Sequence, residues 1–215
     1  MLSIRPFNKN DRKKVRQICC DVADRGGAIE RVFPDREIAA DILIKYYTDY
    51  EPENTFVAQC DGQVVAYING CVDNRRYGLV LLFLIIPGVL IKGIFRGIYF
   101  CPEFWLILKV MLRNWRRAFQ WRKKSFDSHQ GHLHIGILKD FRHQQVGSKL
   151  FNALLTHFRK SGAKQILASV HDGNIEACRF FERLGFVAKE HYPMVMAYGS
   201  SVKGYHSISY VKDIH

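Results

Sequence analysis

Two histidines, His132 and His134, open the stretch of this 215-residue chain with the most chemistry in it, HLHIGILKDFRHQQVGSKL, from His132 to Leu150. The stretch begins with strand-like alternation: Leu133, Ile135 and Ile137 toward one side, His132, His134, Gly136 and Leu138 toward the other. Side chains two apart on a strand share a face, so both imidazoles are expected in one space. An imidazole with its ordinary pKa of about 6.5 can take a proton at neutral pH, directly or through water. No third ligand is visible beside the pair, so a metal site is not expected. Downstream, Lys139-Asp140-Phe141 makes a short turn, and Arg142 to Gly147 leads into a helical stripe of Val146, Leu150, Leu154, Leu155 and Phe158. A strand, a turn and a helix start with a glycine in its first turn aim several unpaired N–H groups at one spot. That spot suits a phosphate, because the orphan donors and the helix dipole act together. The candidate donors are the N–H groups of His143, Gln144, Gln145, Val146, Gly147 and Ser148.

The elements around this stretch alternate between strands and helices. Leu2 to Pro6 reads as a first strand. Asn8 or Asn10 can cap a helix with Val15, Ile18, Cys19 and Val22 inside, ending near Gly26-Gly27. Asp35 can cap a second helix carrying Ile38, Ile42, Leu43 and Tyr46. Thr55–Cys60 and Gln63–Val72 flank Asp61-Gly62, a strong hairpin signal. After the phosphate-turn helix, Gln165–Val170 predicts a strand, Asn174–Leu184 a helix, and Val187–Tyr198 with Tyr205–Ile214 a closing pair of strands.

The segment Asn174 to Phe186, NIEACRFFERLGF, joins the first stretch in a recognisable order. Arg142 and Gly147 in the first, then Asn174, Ala177, Phe180, Gly185 and Phe186 in the second, with room between for one helix and one strand, resemble the GNAT acetyltransferases. The resemblance is strong over residues 132–190 and looser over 1–73. It implies one α/β (α+β) domain over 1–215 with the GNAT fold: a mixed, mostly antiparallel central sheet flanked by helices. It also implies acetyl-CoA as cosubstrate and direct attack by a primary amine, small-molecule or peptide, with no acyl-enzyme. The pyrophosphate would sit on residues 143–148 beside Arg142. The pantetheine arm would pair with Ile137 and Leu138, Asn174 would contact it, and the Leu138 N–H would polarise the thioester carbonyl. His132 and His134 would then hold the base. Two residues depart from the family pattern. Gln145 stands where a glycine is usual, and a side chain there crowds the ligand's approach to the backbone. Phe181 stands where a tyrosine usually protonates the leaving thiolate. Tyr192, Tyr198 and Tyr205 are the other phenols that could serve. A thiol's ordinary pKa of about 8.5 also makes unaided departure tolerable. These departures keep open an alternative, a CoA-binding protein with impaired catalysis.

Composition adds constraints on partners. Nearly half the residues are hydrophobic, at 48%, which excludes a disordered chain. The opening residues, MLSIRPFNKNDRKK, have no apolar core and predict no signal peptide. The 6 cysteines form no C-x-x-C pair and predict reduced thiols and a cytoplasmic protein. The net charge of +12 is uneven: residues 75–130 hold 11 Lys/Arg against 2 acids. This segment, 77–130, is an insertion before the cofactor-binding strand. Gly78 to Ile91 is apolar, broken by Pro87-Gly88, and too short to span a membrane, which takes roughly 20 residues. Pro102 opens an amphipathic helix with Phe104, Leu108, Met111, Leu112, Trp115 and Phe119 on one face and Lys109, Arg113, Arg116, Gln120 and Lys123 on another. Helices docked as a cover beside the acceptor pocket are expected. Peripheral contact with an anionic membrane surface and a homodimer through this segment are both open readings. Nucleic acid is disfavoured, because the aromatics lie on the apolar stripe and not among the charges.

Overall fold

The computed structural model describes residues 2–122, 130–198 and 200–214, and their side chains except those of 115–122. The expectations for Trp115, Arg116, Phe119, Gln120 and Lys123 therefore lie outside the described side chains. Seven strands form one sheet in the order β1-β2-β3-β4-β5-β7-β6. They are β1 (Leu2–Pro6), β2 (Thr55–Cys60), β3 (Gln63–Cys71), β4 (Gln130–Ile137), β5 (Gln165–His171), β6 (Val187–Tyr198) and β7 (Ser201–Asp213). Every neighbouring pair is antiparallel except β4–β5. The β2–β3 hairpin turns on Asp61 (φ 46°) and Gly62 (φ 82°), the two left-handed residues that match the twist of paired strands.

Helices cover both faces. α1 (Arg12–Val22) and α2 (Arg36–Asp49) lie on one side, and Ile18, Ile38 and Ile44 there are fully buried. Asn8 and Asp35 cap their approaches as expected, through bonds from the Asn10 and Ile38 N–H groups. α6 (Val146–Lys160) and α7 (Ile175–Arg183) lie on the other side and bury Leu150, Leu154, Phe158 and Phe181. Covered on both faces, β3 is buried at every position after Gln63.

The feature that makes a site is the junction of β4 and β5. They pair in parallel only where Gln130, Gly131 and His132 meet Gln165, Ile166 and Leu167. Beyond that point the two strands part, and β4 stays laddered to β3 alone.

The insertion departs from expectation in two ways. Pro87 does not interrupt the apolar run. α3 (Asn74–Val80), a π-turn (Leu81–Ile85) and α4 (Ile86–Phe95) are one continuous helix. Pro87 lies in the first turn after the wide π-turn, where a missing N–H and the ring's bulk are tolerated. The 22 residues Asn74–Phe95 are long and apolar enough to cross a membrane by length and composition, which corrects the estimate from residues 78–91 alone. In α5 (Pro102–Arg122) the inward residues are Phe104, Ile107 and Val110, while Met111 and Leu112 are exposed. The stripe runs one step round from its expected position. Asn114 on α5 clamps the outer edge of β6, giving its Nδ2–H to the Val195 carbonyl (2.6 Å) and accepting from the Val195 N–H (3.1 Å).

Candidate active site

The phosphate turn takes its shape from two left-handed residues, His143 (φ 62°) and Gln145 (φ 59°). Such bends draw successive N–H groups into an anion-binding concavity. Gln145 is the residue before α6; it is exposed and lies at the cavity. Gln144 does not face the site: its Nε2–H bonds back to the Asp140 carbonyl at 2.8 Å. Gly147 is buried, and a Cβ there would stand 2.7 Å from the ring of Phe180. Packing alone thus requires a glycine at 147.

A cavity of about 460 Å³ runs from this turn along the end of β4, past the point where β4 and β5 part. Ile135, Gly136 and Ile137 form one wall, and Asn174, Ala177, Phe180 and Phe181 the other. Val146, Gly147 and Ser148 lie at its turn end, and Arg25, Arg142 and Arg183 outnumber Glu176 around it. The excess of guanidinium suits a polyphosphate. Arg142 also has a structural task. Its Nη2–H reaches the Gly26 carbonyl (3.1 Å) and its Nε–H the Ile137 carbonyl (3.3 Å), tying the loop after α1 to the end of β4. Asn174 caps α7 by accepting from the Ala177 N–H at 3.2 Å.

Leu138 cannot be the oxyanion donor. Its N–H is donated to the Val65 carbonyl at 3.1 Å, extending the β3–β4 ladder. In an antiparallel ladder alternate residues turn their polar groups to opposite sides. The N–H groups of Ile135 and Ile137 therefore face the gap, in agreement with the Ile137 carbonyl being reached by Arg142.

His132 and His134 share a face, as expected, but neither lines the cavity. His132 lies between Tyr47 and Tyr77, with ring centroids at 5.8 and 4.8 Å. Its Nδ1–H points at the Asn74 Oδ1 (2.5 Å), which fixes Nε2 as acceptor of the Tyr47 hydroxyl at 2.7 Å. Burial holds the Tyr47 hydroxyl far above its ordinary pKa, so it remains a donor. His134 stacks on Tyr67, with its Nδ1 3.1 Å from the Tyr67 hydroxyl. Burial lowers its pKa to about 4, so it is neutral and weakly basic at pH 7.

One cluster was not read from the sequence. Asp24 and Gly27 exchange backbone bonds (2.9 and 2.7 Å) around Arg25 (φ 50°) and Gly26 (φ 87°), a tight turn that puts Arg25 and Gly26 at the cavity. The Asp24 side chain is 1% exposed. Its Oδ1 accepts from the Tyr198 hydroxyl (3.3 Å) and lies 3.3 Å from Arg25 Nε. Its Oδ2 lies 3.9 Å from Arg31 Nη1 and has no hydrogen-bond partner among the described residues. Beside it, His171 stacks on Tyr205 at 4.2 Å. The signal in the sequence is the Asp-Arg-Gly-Gly run, a turn sequence that also ends a helix.

Comparison with known proteins agrees with this geometry. Residues 109–186 match the acetyltransferase (GNAT) family. The crystal structure of SsHAT superposes with a TM-score of 0.73 at 23% identity, covering 100% of this chain and 98% of that one. The structure of yncA from Salmonella typhimurium with its cofactor acetyl-CoA gives 0.61 at 16%, covering 100% and 94%. The ribosomal-protein-alanine N-acetyltransferase from Brucella melitensis gives 0.59 at 15%, covering 98% and 99%. At these identities the likeness is one of fold. No protein of curated function matches the chain. Residues 109–186 thus match the acetyltransferase (GNAT) family, and over its whole length the chain shares the fold of these solved structures.

Proposed function

We propose that the protein transfers an acetyl group from acetyl-CoA to a primary amine by direct attack. The observation that carries this reading is the continuity of one cavity from the 143–148 turn to the parting of β4 and β5. The residues fit the cosubstrate. The converging N–H groups at 143–148 take the pyrophosphate, with Arg142 and Arg183 beside them. The β4 edge at Ile135 and Ile137 takes the pantetheine amides, and the Ile137 N–H replaces Leu138 as donor to the thioester carbonyl. Acetyl-CoA supplies an activated acyl group.

The chain's own residues bind, orient and manage protons. The amine approaches past the turn after α1, where Arg25 and Gly26 reach the cavity. With His134 neutral and His132 bonded through both nitrogens, the proton leaves through water. Phe181 holds no proton, so the thiolate departs unaided or takes one from Tyr198. Burial first and Asp24 second hold the Tyr198 hydroxyl above its ordinary pKa and hence protonated. The free cysteines suit a reducing, cytoplasmic setting.

The test is release of free CoA thiol from acetyl-CoA in the presence of a panel of polyamines, aminoglycosides and peptides. Amine-dependent release supports the reading. Tight acetyl-CoA binding with no release for any amine favours the alternative, a CoA-binding protein with impaired catalysis. The buried setting of Phe181, against Phe180, Phe186 and Tyr210, gives that alternative its basis.

A further inference from the structure

The helix Asn74–Phe95 meets the rest of the protein along one stripe. Tyr77, Leu81, Ile85, Val89 and Gly93 recur every four residues and are buried or half-buried, flanked by the half-buried Asn74, Gly78, Val80 and Lys92. A regular helix would carry such a stripe around its axis, and the wider π-turn at Leu81–Ile85 holds it in line. The outer face is as apolar as the inner one. Leu82, Phe83, Ile91 and Ile94 are 56, 65, 58 and 64% exposed, and Phe95 and Phe100 at the following corner are 85 and 90% exposed. Soluble monomers rarely leave contiguous patches of this kind open.

We propose that this face docks the protein onto an anionic lipid bilayer, with the helix lying in the interface and not crossing it. Three observations choose this occupant and this pose. First, Lys92 bonds Asp41 (2.7 Å) and Arg96 bonds Asp35 (2.5 Å), fixing the helix flat along α2. A crossing helix would break both pairs and strip Asp41, whose side chain is 8% exposed, of one of its cations. Second, the corner after α4 gathers Phe95, Tyr99, Phe100 and Trp105, the aromatic composition that settles at headgroup depth. Third, the charge matches. Residues 75–130 carry 11 Lys/Arg against 2 acids, and Arg75, Lys109 and Arg113 are exposed. A second copy related by a two-fold axis would bring these like charges together. Anionic headgroups neutralise them.

Flotation of the full chain with phosphatidylcholine vesicles, with and without phosphatidylglycerol, tests this at low and high salt, with a sizing run alongside. The protein should float with the anionic vesicles at least about tenfold better than with the neutral ones at low salt, and keep part of its binding at high salt through the apolar face. The variant F83S/I91S/F95S should stay in the soluble fraction at both salts while running as the same compact species. R75E/R113E, on exposed positions, should fold regardless and lose only the anionic preference. Absence of flotation at low salt overturns the proposal. So does a dimer that the triple variant converts to monomer without any vesicle binding, which would assign the face to a second copy. Binding that resists high salt and alkali and releases only with detergent overturns the in-plane pose.

Discussion

The phosphate turn places a glutamine at φ 59°, where a side chain is crowded by its own backbone. That strain of about 1–2 kcal/mol, less the extra chain entropy of glycine at about 0.5–1 kcal/mol, leaves Gln145→Gly roughly 0.5 kcal/mol more stable. Urea unfolding would show it, and a loss of stability would mean that Gln145 makes a compensating contact. His134 makes a pH prediction. Its folded pKa of about 4 lies below its ordinary value, so the folded state favours the neutral ring. Its contribution to stability is full above pH 6.5 and is lost as the pH falls toward 4, up to about 3 kcal/mol. The urea midpoint should therefore fall over that window in the natural protein and less steeply in His134→Asn; equal slopes would contradict the buried neutral histidine. Phe181→Tyr should raise turnover at unchanged acetyl-CoA affinity if thiolate departure limits the rate. Lower stability with no gain would show the new hydroxyl directed into the core. The turn and its glycine were legible because strand, turn and helix start are neighbours in the chain. The fate of the histidines was not. Their partners Tyr47, Asn74 and Tyr67 lie 85, 58 and 67 positions away, and nothing local announces them.

Among the elements, β4 carries the site because its two edges have different neighbours. One edge is saturated by β3, including the Leu138 N–H, and the other is open past His132. Alternation in the sequence tells which side chains share a face, but not which backbone groups are taken, since that depends on the register of a partner about seventy residues earlier. The turn after α1 closes the site from the other side through Arg142. Gly26→Ala would force a Cβ at φ 87° to within 2.7 Å of the Arg142 guanidinium. The expected result is a stability loss of about 1–2 kcal/mol and weaker acetyl-CoA binding, both checked by thermal unfolding and calorimetry with and without cosubstrate. Unchanged affinity would show that Arg142 has no part in holding the cosubstrate end of β4. Hairpins and caps were readable because Asp61-Gly62, Asn8 and Asp35 act on residues beside them. The course of the insertion was not, because the π-turn that accommodates Pro87 has no distinctive composition.

For the molecule as a whole, the sheet separates two functions in space. One layer, α6 and α7, lines most of the cavity; the other, α1, α2 and the insertion, adds the turn after α1 to it and carries the exposed apolar face. Most of the net positive charge belongs to residues 75–130. Binding of acetyl-CoA and binding of lipid are therefore expected to vary independently.

The central claim is that acetyl-CoA occupies the gap between β4 and β5 with its pyrophosphate on the 143–148 turn. Calorimetric titration of acetyl-CoA into the natural protein and into Gly147→Glu tests it most directly. The glutamate would displace Phe180 and put a carboxylate against the pyrophosphate. One site of roughly micromolar affinity is expected in the natural protein. In the variant, affinity should fall at least about a hundredfold, with the helical content retained. Equal affinity in a folded Gly147→Glu protein would contradict it.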